Sequence, residues 1–497
     1  MTTTSRRASP TNAADIDIET AAKKLLGFQS LRPGQEKAIR ALQRGQDTLV
    51  VQPTGSGKSA IYQIAGALLP GSTIIISPLI ALQKDQVEAI EASRLEHAAV
   101  FNSTLSAGER RETLERMEGG EVEYIFLAPE QLRSSETLAR FRAAGIALVV
   151  VDEAHCISEW GHDFRPDYLD LGHVLEALDR PPCLAMTATA SREVRKDIVE
   201  RLRLRDPLVM VRGFDRPNIS LRVDTYAKRE EKQDALLRRV EFAEKPGIVY
   251  VATHKNAESI AADLRQRGME ALAYHGGMKA RDRDDIQNRF MSGDVQVIVA
   301  TNAFGMGVDK ADVRFVYHAD VSDSLDSYYQ EIGRAGRDGK AAEAVLFYRP
   351  GDINSQGYKT GNGSVDTAIL ESVAEALTTS NTPLTPQEIG GEVGLSTRKV
   401  ANIVHKLEEV GAARRTRDGH IEPATEKSVT EIVEDAAQQQ GFQKELRRMR
   451  LEQMREYATT RSCRREHLLR YFGDDYTGPC GNCDRCEEAG VGNREVA

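Results

Sequence analysis

Gly55, Gly57, Lys58 and Ser59 stand at a spacing that can hold a chain of phosphates. They close the run Gln52-Pro53-Thr54-Gly55-Ser56-Gly57-Lys58-Ser59. Glycines let backbone N–H groups turn towards one anion, and the start of a helix adds a positive dipole end. In such a cradle, Thr54 to Gly57 wrap the phosphates, Lys58 reaches the outer ones and Ser59 holds Mg²⁺. Gln52 stands where the strict pattern has its first Gly. A second group, Asp152-Glu153-Ala154-His155, brings carboxylates. A carboxylate at a strand end is where the metal of a phosphate-loop NTPase finds its partner, so Asp152 pairs with Ser59 as the Mg²⁺ site.

Three further groups complete the chemistry. Phe28, Arg32 and Gln35 precede the glycine loop by some twenty residues. A Gln amide can donate to and accept from one adenine edge, and Phe28 or Arg32 can stack on the base. Trp160, Phe164 and Arg165 follow the acidic group directly, among Gly161, His162, Asp163 and Pro166. Aromatics interleaved with a guanidinium suit a single nucleic-acid strand, although an aromatic core cluster is the plainer alternative. Arg334 and Arg337, three apart in Gln330–Gly339, are expected on one helical face. An arginine from a neighbouring domain can neutralise charge at a γ-phosphate; surface arginines at a helix end are the rival reading.

These residues need strands and helices to hold them. Thr48–Val51, Thr73–Ile76, Glu123–Leu127 and Ala147–Val151 are apolar runs of strand length, separated by helix-compatible segments. Such alternation gives a parallel sheet with helices on both faces and ligands at the carboxyl ends of strands. Met186-Thr187-Ala188-Thr189-Ala190 follows one more strand, and its hydroxyls could couple two halves. A second series runs from Arg212, with strands at Gly247–Val251, Glu270–Tyr274, Val295–Ala300 and Val313–Tyr317. It has no phosphate loop, so it is expected to close over the first as a lid.

The C-terminal third changes character. Helices are expected at Val365–Leu377, from Thr385 and from Ser396 to Val410, then a hairpin over Ala412–Ile421 turning at Asp418-Gly419. Three helices and a hairpin look like a winged helix, in which Arg398, Lys399, Lys406, Arg414, Arg415 and Arg417 could meet phosphates. Winged helices also serve as protein contacts. Gly441–Phe472 holds nine Lys and Arg against four Glu, a basic helical stretch in a chain of net charge −9. Cys480, Cys483 and Cys486 share a Cys-x₂-Cys-x₂-Cys run, and Cys463 lies seventeen positions before it. Four thiolates leave no open position, which suits structural Zn²⁺. An iron–sulfur cluster is the alternative.

A chain of 497 residues is too long for one core, so several domains are expected. No apolar run approaches the roughly 20 residues that span a bilayer. Met1–Asn12 is polar and lacks the apolar core of a secretory signal, so a cytoplasmic protein without a membrane partner is expected.

Taken together the motifs resemble superfamily 2 helicases, and more narrowly the RecQ family. They are Phe28, Arg32 and Gln35, the loop at Thr54–Ser59, Asp152–His155 with the Trp160–Arg165 loop, Thr187-Ala188-Thr189, Ala303-Phe304-Gly305-Met306-Gly307 and Gln330–Gly339. They cover residues 26 to 350, about two thirds of the chain, and the aromatic loop after the acidic group is specific to that family. The resemblance implies an α/β fold with two RecA-like parallel-sheet domains, followed here by a small winged-helix domain and a helical zinc-binding module. The expected divisions are a tail at 1–17, domains at 18–211 and 212–350, the winged helix at 364–425 and the zinc module at 428–490. The resemblance also implies ATP, Mg²⁺ and Zn²⁺ as cofactors and 3′-to-5′ unwinding of DNA in repair and recombination. The partners it implies are single-stranded DNA, duplex junctions and, as an accessory, a single-stranded DNA-binding protein, at the nucleoid if the cell is bacterial. By motif, Glu153 positions the attacking water and Arg337 is the arginine finger with Arg334 beside it. His155, Trp160, Phe164 and Arg165 couple DNA to the ATP site. The order departs from the family, where the winged helix usually follows zinc. A translocase that remodels protein–DNA complexes without separating strands is the rival function.

Overall fold

The computed structural model describes residues 18–491, apart from positions 54, 79, 94, 96, 162, 306–309, 354–365, 381 and 417–418. The expected tail at 1–17 and the positions Thr54, His162, Met306, Gly307, Arg417 and Asp418 therefore lie outside the described residues. The chain divides into two bodies, Met1–Arg349 with Tyr457–Ala497, and Pro350–Glu456.

The first body holds two parallel sheets. Seven strands build the first: β1 Thr48–Val51, β2 Ser72–Ile76, β3 Ala98–Phe101, β4 Tyr124–Leu127, β5 Ile146–Val151, β6 Cys183–Thr187 and β7 Leu208–Val211. Their order is β3-β4-β2-β5-β6-β1-β7. Val, Ile and Leu fill the central strands because helices cover both faces. The order matters for chemistry. β5, β6 and β1 are neighbours, so the segments following Val151, Thr187 and Val51 emerge side by side at one edge. The second sheet has six strands, β8 Ile219–Thr225, β9 Gly247–Tyr250, β10 Ala271–Tyr274, β11 Val297–Ala300, β12 Phe315–His318 and β13 Ala342–Tyr348. They run β10-β11-β9-β12-β13-β8, all parallel, around a core of Val249, Val297, Val299 and Phe315.

β8 is an edge strand, and its outer side is closed by the cysteine-rich segment. Leu221 forms a parallel bridge with Cys483, and its N–H donates to the Asn482 carbonyl at 3.3 Å. Covering an edge in this way removes a template for aggregation.

The second body is built from the helices Thr367–Thr379, Pro386–Val393 and Thr397–Glu409 and the antiparallel pair β14 Ala413–Arg415 and β15 Ile421–Pro423. Thr385 and Glu388 form a reciprocal capping box, so the second helix starts where its sequence asks. Val400, Ile403, Val404 and Leu407 place one apolar stripe against Leu370, Val373 and Ile389. The long helix Val429–Thr459 adds Ile432, Val433 and Ala436 to this core, and the division between bodies falls inside it. Among the described residues no helix is long and apolar enough to cross a membrane.

Candidate active site and metal centre

The glycine loop has the backbone its sequence predicts. Gly55 and Gly57 have φ of 80° and 86°, a region that costs other residues energy. Gly57 caps the helix Lys58–Leu68. The Lys58 ammonium donates to the carbonyls of Gln52 at 2.7 Å and Pro53 at 3.1 Å. Burial lowers its pKa, Glu153 and Asp152 raise it, and Arg337 lowers it. The four charges therefore share one small space. The Ser56 hydroxyl is buried with no partner among the described residues. A phosphate oxygen would give it an acceptor.

Gln35 and Arg32 brace this loop. The Gln35 amide donates to the Gly57 carbonyl at 2.8 Å, and its oxygen accepts from the Arg32 N–H at 2.7 Å. Arg32 also donates to the Gly55 carbonyl. A Cβ on Gly57 would sit 2.8 Å from the Gln35 amide nitrogen, so the close approach requires glycine. Phe28 is 41% exposed, open to a stacking base.

Asp152 and Glu153 leave β5 on adjacent positions. Glu153 has φ of 48°, unusual for a non-glycine residue and typical of strained functional positions. Burial first, and then the neighbouring Glu153 charge, push the Asp152 carboxyl up to about 7, against the pull of Lys58. Two carboxylates crowd together here, and a divalent cation between them would favour both in the ionised form. Ser59, in the first turn of its helix, is the hydroxyl available to such an ion. The His155 ring is buried, with Nδ1 2.8 Å from the Thr187 hydroxyl and 3.3 Å from Glu153. Thr187 in turn donates to the Thr189 carbonyl at 2.9 Å.

The two arginines do not share a helical face. Their helix ends at Ile332, and the turn beyond carries Gly333 and Gly336, the latter with φ of 54°. Arg334 is buried, with a guanidinium nitrogen 3.4 Å from where a Gly305 Cβ would lie. Arg337 instead approaches the glycine loop: a Cβ on Gly55 would lie 3.9 Å from its Cδ. Glycines in the turn broke the regular spacing on which the one-face reading rested.

The aromatic loop is folded against the acidic group. A Cβ on Gly161 would meet the His155 carbonyl at 2.6 Å, so only glycine fits. Trp160 is half-buried, and its N–H donates to the Ser158 hydroxyl at 3.2 Å. Arg165 pairs with Asp163 at 3.1 Å and donates to the Pro78 carbonyl at 3.1 Å. Phe164 is half-buried beside them.

Cys463, Cys480, Cys483 and Cys486 converge, with all four sulfurs within 4.8 Å of one another. Cys480 and Cys486 are 3.9 Å apart. Sulfurs bound to one tetrahedral zinc at about 2.3 Å lie about 3.8 Å from each other, so the set fits the ion. Around it, fully buried Arg464 donates to Asp484 at 2.7 Å and to the Tyr457 carbonyl at 2.6 Å. Asp484 also accepts from the Val223 N–H of β8 at 3.2 Å.

One pair escaped the sequence reading. His254 and His275 stack with ring centres 4.4 Å apart, beyond the ends of β9 and β10. His275 Nε2 meets Glu258 at 3.2 Å, while its buried Nδ1 has no partner among the described residues. His254 opens a helix capped by Thr253. A helix start suits an anion, and this pair lies beside one. Two histidines twenty-one positions apart carry no local signal of meeting.

Two parallel-sheet domains, one with phosphate loop and acidic group and the other with the arginine turn, define an ATP-driven helicase core. Residues 32–197 match the DEAD/DEAH box helicase model, 231–339 the helicase conserved C-terminal domain, and 426–487 the RecQ zinc-binding model. The chain is 35% identical over 487 residues to a probable ATP-dependent DNA helicase RecS of Bacillus subtilis, covering 95% of this chain and 92% of that protein. It is 36% identical over 483 residues to an ATP-dependent DNA helicase RecQ of Haemophilus influenzae, covering 96% of this chain and 65% of that one. Its fold resembles that of a helicase MrfA bound to DNA, with a TM-score of 0.56 at 18% identity over 86% of this chain and 64% of that chain. A Mycobacterium smegmatis helicase Lhr bound to single-stranded DNA and AMP-PNP gives a TM-score of 0.50 at 20% identity, over 82% of this chain and 60% of that one. The chain belongs to the RecQ family of DNA helicases, and it is an ATP-dependent enzyme with a zinc-binding module.

Proposed function

We propose that this helicase unwinds duplex DNA with 3′-to-5′ polarity and acts in DNA repair and recombination. The observation that carries a strand-separating role is the aromatic loop, whose Gly161 is pressed onto the His155 carbonyl. A base stacking on Trp160 or Phe164, or a phosphate drawing Arg165 from Asp163, would move a segment joined directly to the acidic group. The polarity and the cellular role rest on family membership.

Lys58 and Ser56 bind the outer phosphates, and Gln35, Arg32 and Phe28 hold the adenine. Thr54, Gly55 and Gly57 complete the cradle. Ser59 and Asp152 hold Mg²⁺, which when bound offsets charge on the phosphates. Glu153 orients the attacking water, and Arg337 neutralises charge that develops at the γ-phosphate, with Arg334 holding the turn from inside. The second domain grips the DNA backbone at the start of the helix that His254 opens, with His275 stacked beside it. In the winged helix, exposed Arg398 and Lys399 lead the duplex contact, because Arg414 and Arg415 already pair with Glu422 and Glu408. A single-stranded DNA-binding protein that covers the product strands is an accessory of this reading, and a cytoplasmic site of action, at the nucleoid in a bacterium, follows from its substrate.

Strand-displacement assays on duplexes with 3′ or 5′ tails, beside removal of a protein block from intact duplex, test the proposal. Displacement confined to 3′-tailed substrates and absent from Lys58→Ala supports it. Block removal without displacement would favour the translocase.

A further inference from the structure

The segment between the two sheets is short and carries no motif that the sequence reading used, yet it touches both the strand that leads into the glycine loop and the arginine turn. Its first residue, Arg212, donates its N–H to the Val51 carbonyl at 3.1 Å, on the strand that leads into the glycine loop. Gly213 follows with φ of 80°, and a Cβ there would lie 3.4 Å from the Pro53 ring. Phe214 stacks on Phe472 of the zinc module, with ring centres 4.6 Å apart and planes within 7°. Asp215 pairs with buried Arg465 at 2.7 Å, two residues beyond Cys463.

Arg216 then turns the other way. Its guanidinium donates to the carbonyls of Gly333 at 3.1 Å, Ala335 at 2.8 Å and Gly336 at 2.9 Å. These are carbonyls of the turn that carries Arg334 and delivers Arg337. A helix that has just ended leaves such oxygens without partners. Asn218 adds a bond to Gly336 at 2.8 Å and one to Lys340 at 2.9 Å. The planar fork of a guanidinium can span three splayed oxygens; an ammonium on a lysine stem cannot hold all three in one plane.

We propose that Arg216 is the positioning residue for Arg337. It holds the carbonyls of the arginine turn, and its neighbours Arg212 and Gly213 ride on the strand of the phosphate loop. The reach of Arg337 is thereby measured from the loop that it must meet. The zinc module, through Asp215–Arg465 and Phe214–Phe472, steadies the linker from the opposite side. The proposal rests on Arg337 acting at the γ-phosphate, as assigned above.

The test compares Arg337→Ala, Arg216→Lys, Asn218→Ala and the double variant Arg216→Lys/Arg337→Ala in the full chain. Turnover, ATP KM, zinc content and thermal melting are measured for each. A misplacement of about 1 Å in a reacting group costs on the order of 100-fold, so Arg216→Lys should lose 10- to 100-fold in kcat. Its ATP KM should stay within about threefold and its zinc at one equivalent, with Asn218→Ala affected less. The double variant should be no slower than Arg337→Ala, because residues that act as one unit are not additive. Unchanged turnover in Arg337→Ala would remove the finger itself, and the proposal with it. A slow Arg337→Ala beside a normal Arg216→Lys, or losses that multiply in the double variant, overturns the positioning role alone. Loss of zinc, early melting and weak ATP binding in Arg216→Lys would make it a structural clamp and overturn the proposal as well.

Discussion

The Nδ1 atom of His155 lies 2.8 Å from the hydroxyl of Thr187, across the ends of two neighbouring strands. Thr187 sends its own proton to the Thr189 carbonyl, so towards His155 it presents a lone pair. Nδ1 therefore carries the hydrogen, and Nε2 is left to respond to its surroundings. This bond joins the acidic group to the Thr187-Ala188-Thr189 segment, beside the strained backbone of Glu153.

Thr187→Val keeps the shape and removes the acceptor. The His155 N–H then keeps only the Glu153 carboxylate at 3.3 Å, and losing one buried hydrogen bond costs about 1 kcal/mol, so the ring should shift towards Glu153. ATP binding should change little, since the Thr187 side chain meets His155 and the backbone bond from Gln52 to the Thr187 carbonyl survives the substitution. Turnover should fall about tenfold or more, and a kcat equal to the parent's would remove Thr187 from the pathway. Nucleotide titration beside steady-state ATPase makes the measurement.

Glu153→Gln leaves the side chain's size unchanged and takes away its basicity. A general base or water-positioning group contributes on the order of 10²–10⁴ in rate. The variant should bind ATP as the parent does and hydrolyse it slowly, which makes it a trap for the ATP-bound state. Weakened binding with normal turnover would assign Glu153 elsewhere.

Cys483→Ser strikes the zinc centre and the edge of the second sheet together, because the Cys483 backbone bridges Leu221 of β8. Structural zinc contributes about 10–16 kcal/mol of apparent binding energy in small modules, so its loss should be felt beyond the cysteines. Zinc content should drop below one equivalent and melting should begin earlier. A chelator applied to the parent should reproduce the effect. Iron with visible absorbance in the parent would replace zinc in this account.

The contrast between legible and hidden features has a physical basis. The glycine loop was readable because φ near 80° at Gly55 and Gly57 is a local demand that few other residues meet. The helix start at Thr385 was readable because its cap is local too: Thr385 and Glu388 satisfy each other's backbone N–H groups three residues apart. Arg334 and Arg337 were misplaced because a three-residue spacing means one face only while the helix lasts, and Gly333 follows its last turn. The His254–His275 stack was invisible because it depends on strand order: β9 and β10 flank β11, and only the assembled sheet brings their ends together. The Arg216 clamp has the same origin, since Gly333 stands more than a hundred positions away in sequence.

Trp160 is the only tryptophan in the chain, so its emission reports one loop without labelling. The ring is half-buried, and its loop is tied down by Ser158, which donates to Asp197 at 2.7 Å, and by the Asp163–Arg165 pair. A DNA phosphate competes with Asp163 for the same guanidinium, and a base competes with water for the ring. Adding single-stranded DNA should therefore change the intensity or wavelength of emission, and the change should saturate. It should weaken with salt, because phosphate contacts carry much of such affinity. Trp160→Ala removes the stacking surface, while the backbone bond to Ser158 survives the substitution. Basal ATPase should stay near the parent's, while most of the DNA-stimulated increment and the unwinding should vanish; stacking is worth about 1–3 kcal/mol per base. A core tryptophan behaves differently: blue-shifted emission indifferent to DNA, and a variant that melts early. Thermal melting of Trp160→Ala set beside its DNA-stimulated ATPase separates the two. A variant as stable as the parent and still fully stimulated by DNA would refute coupling through this loop.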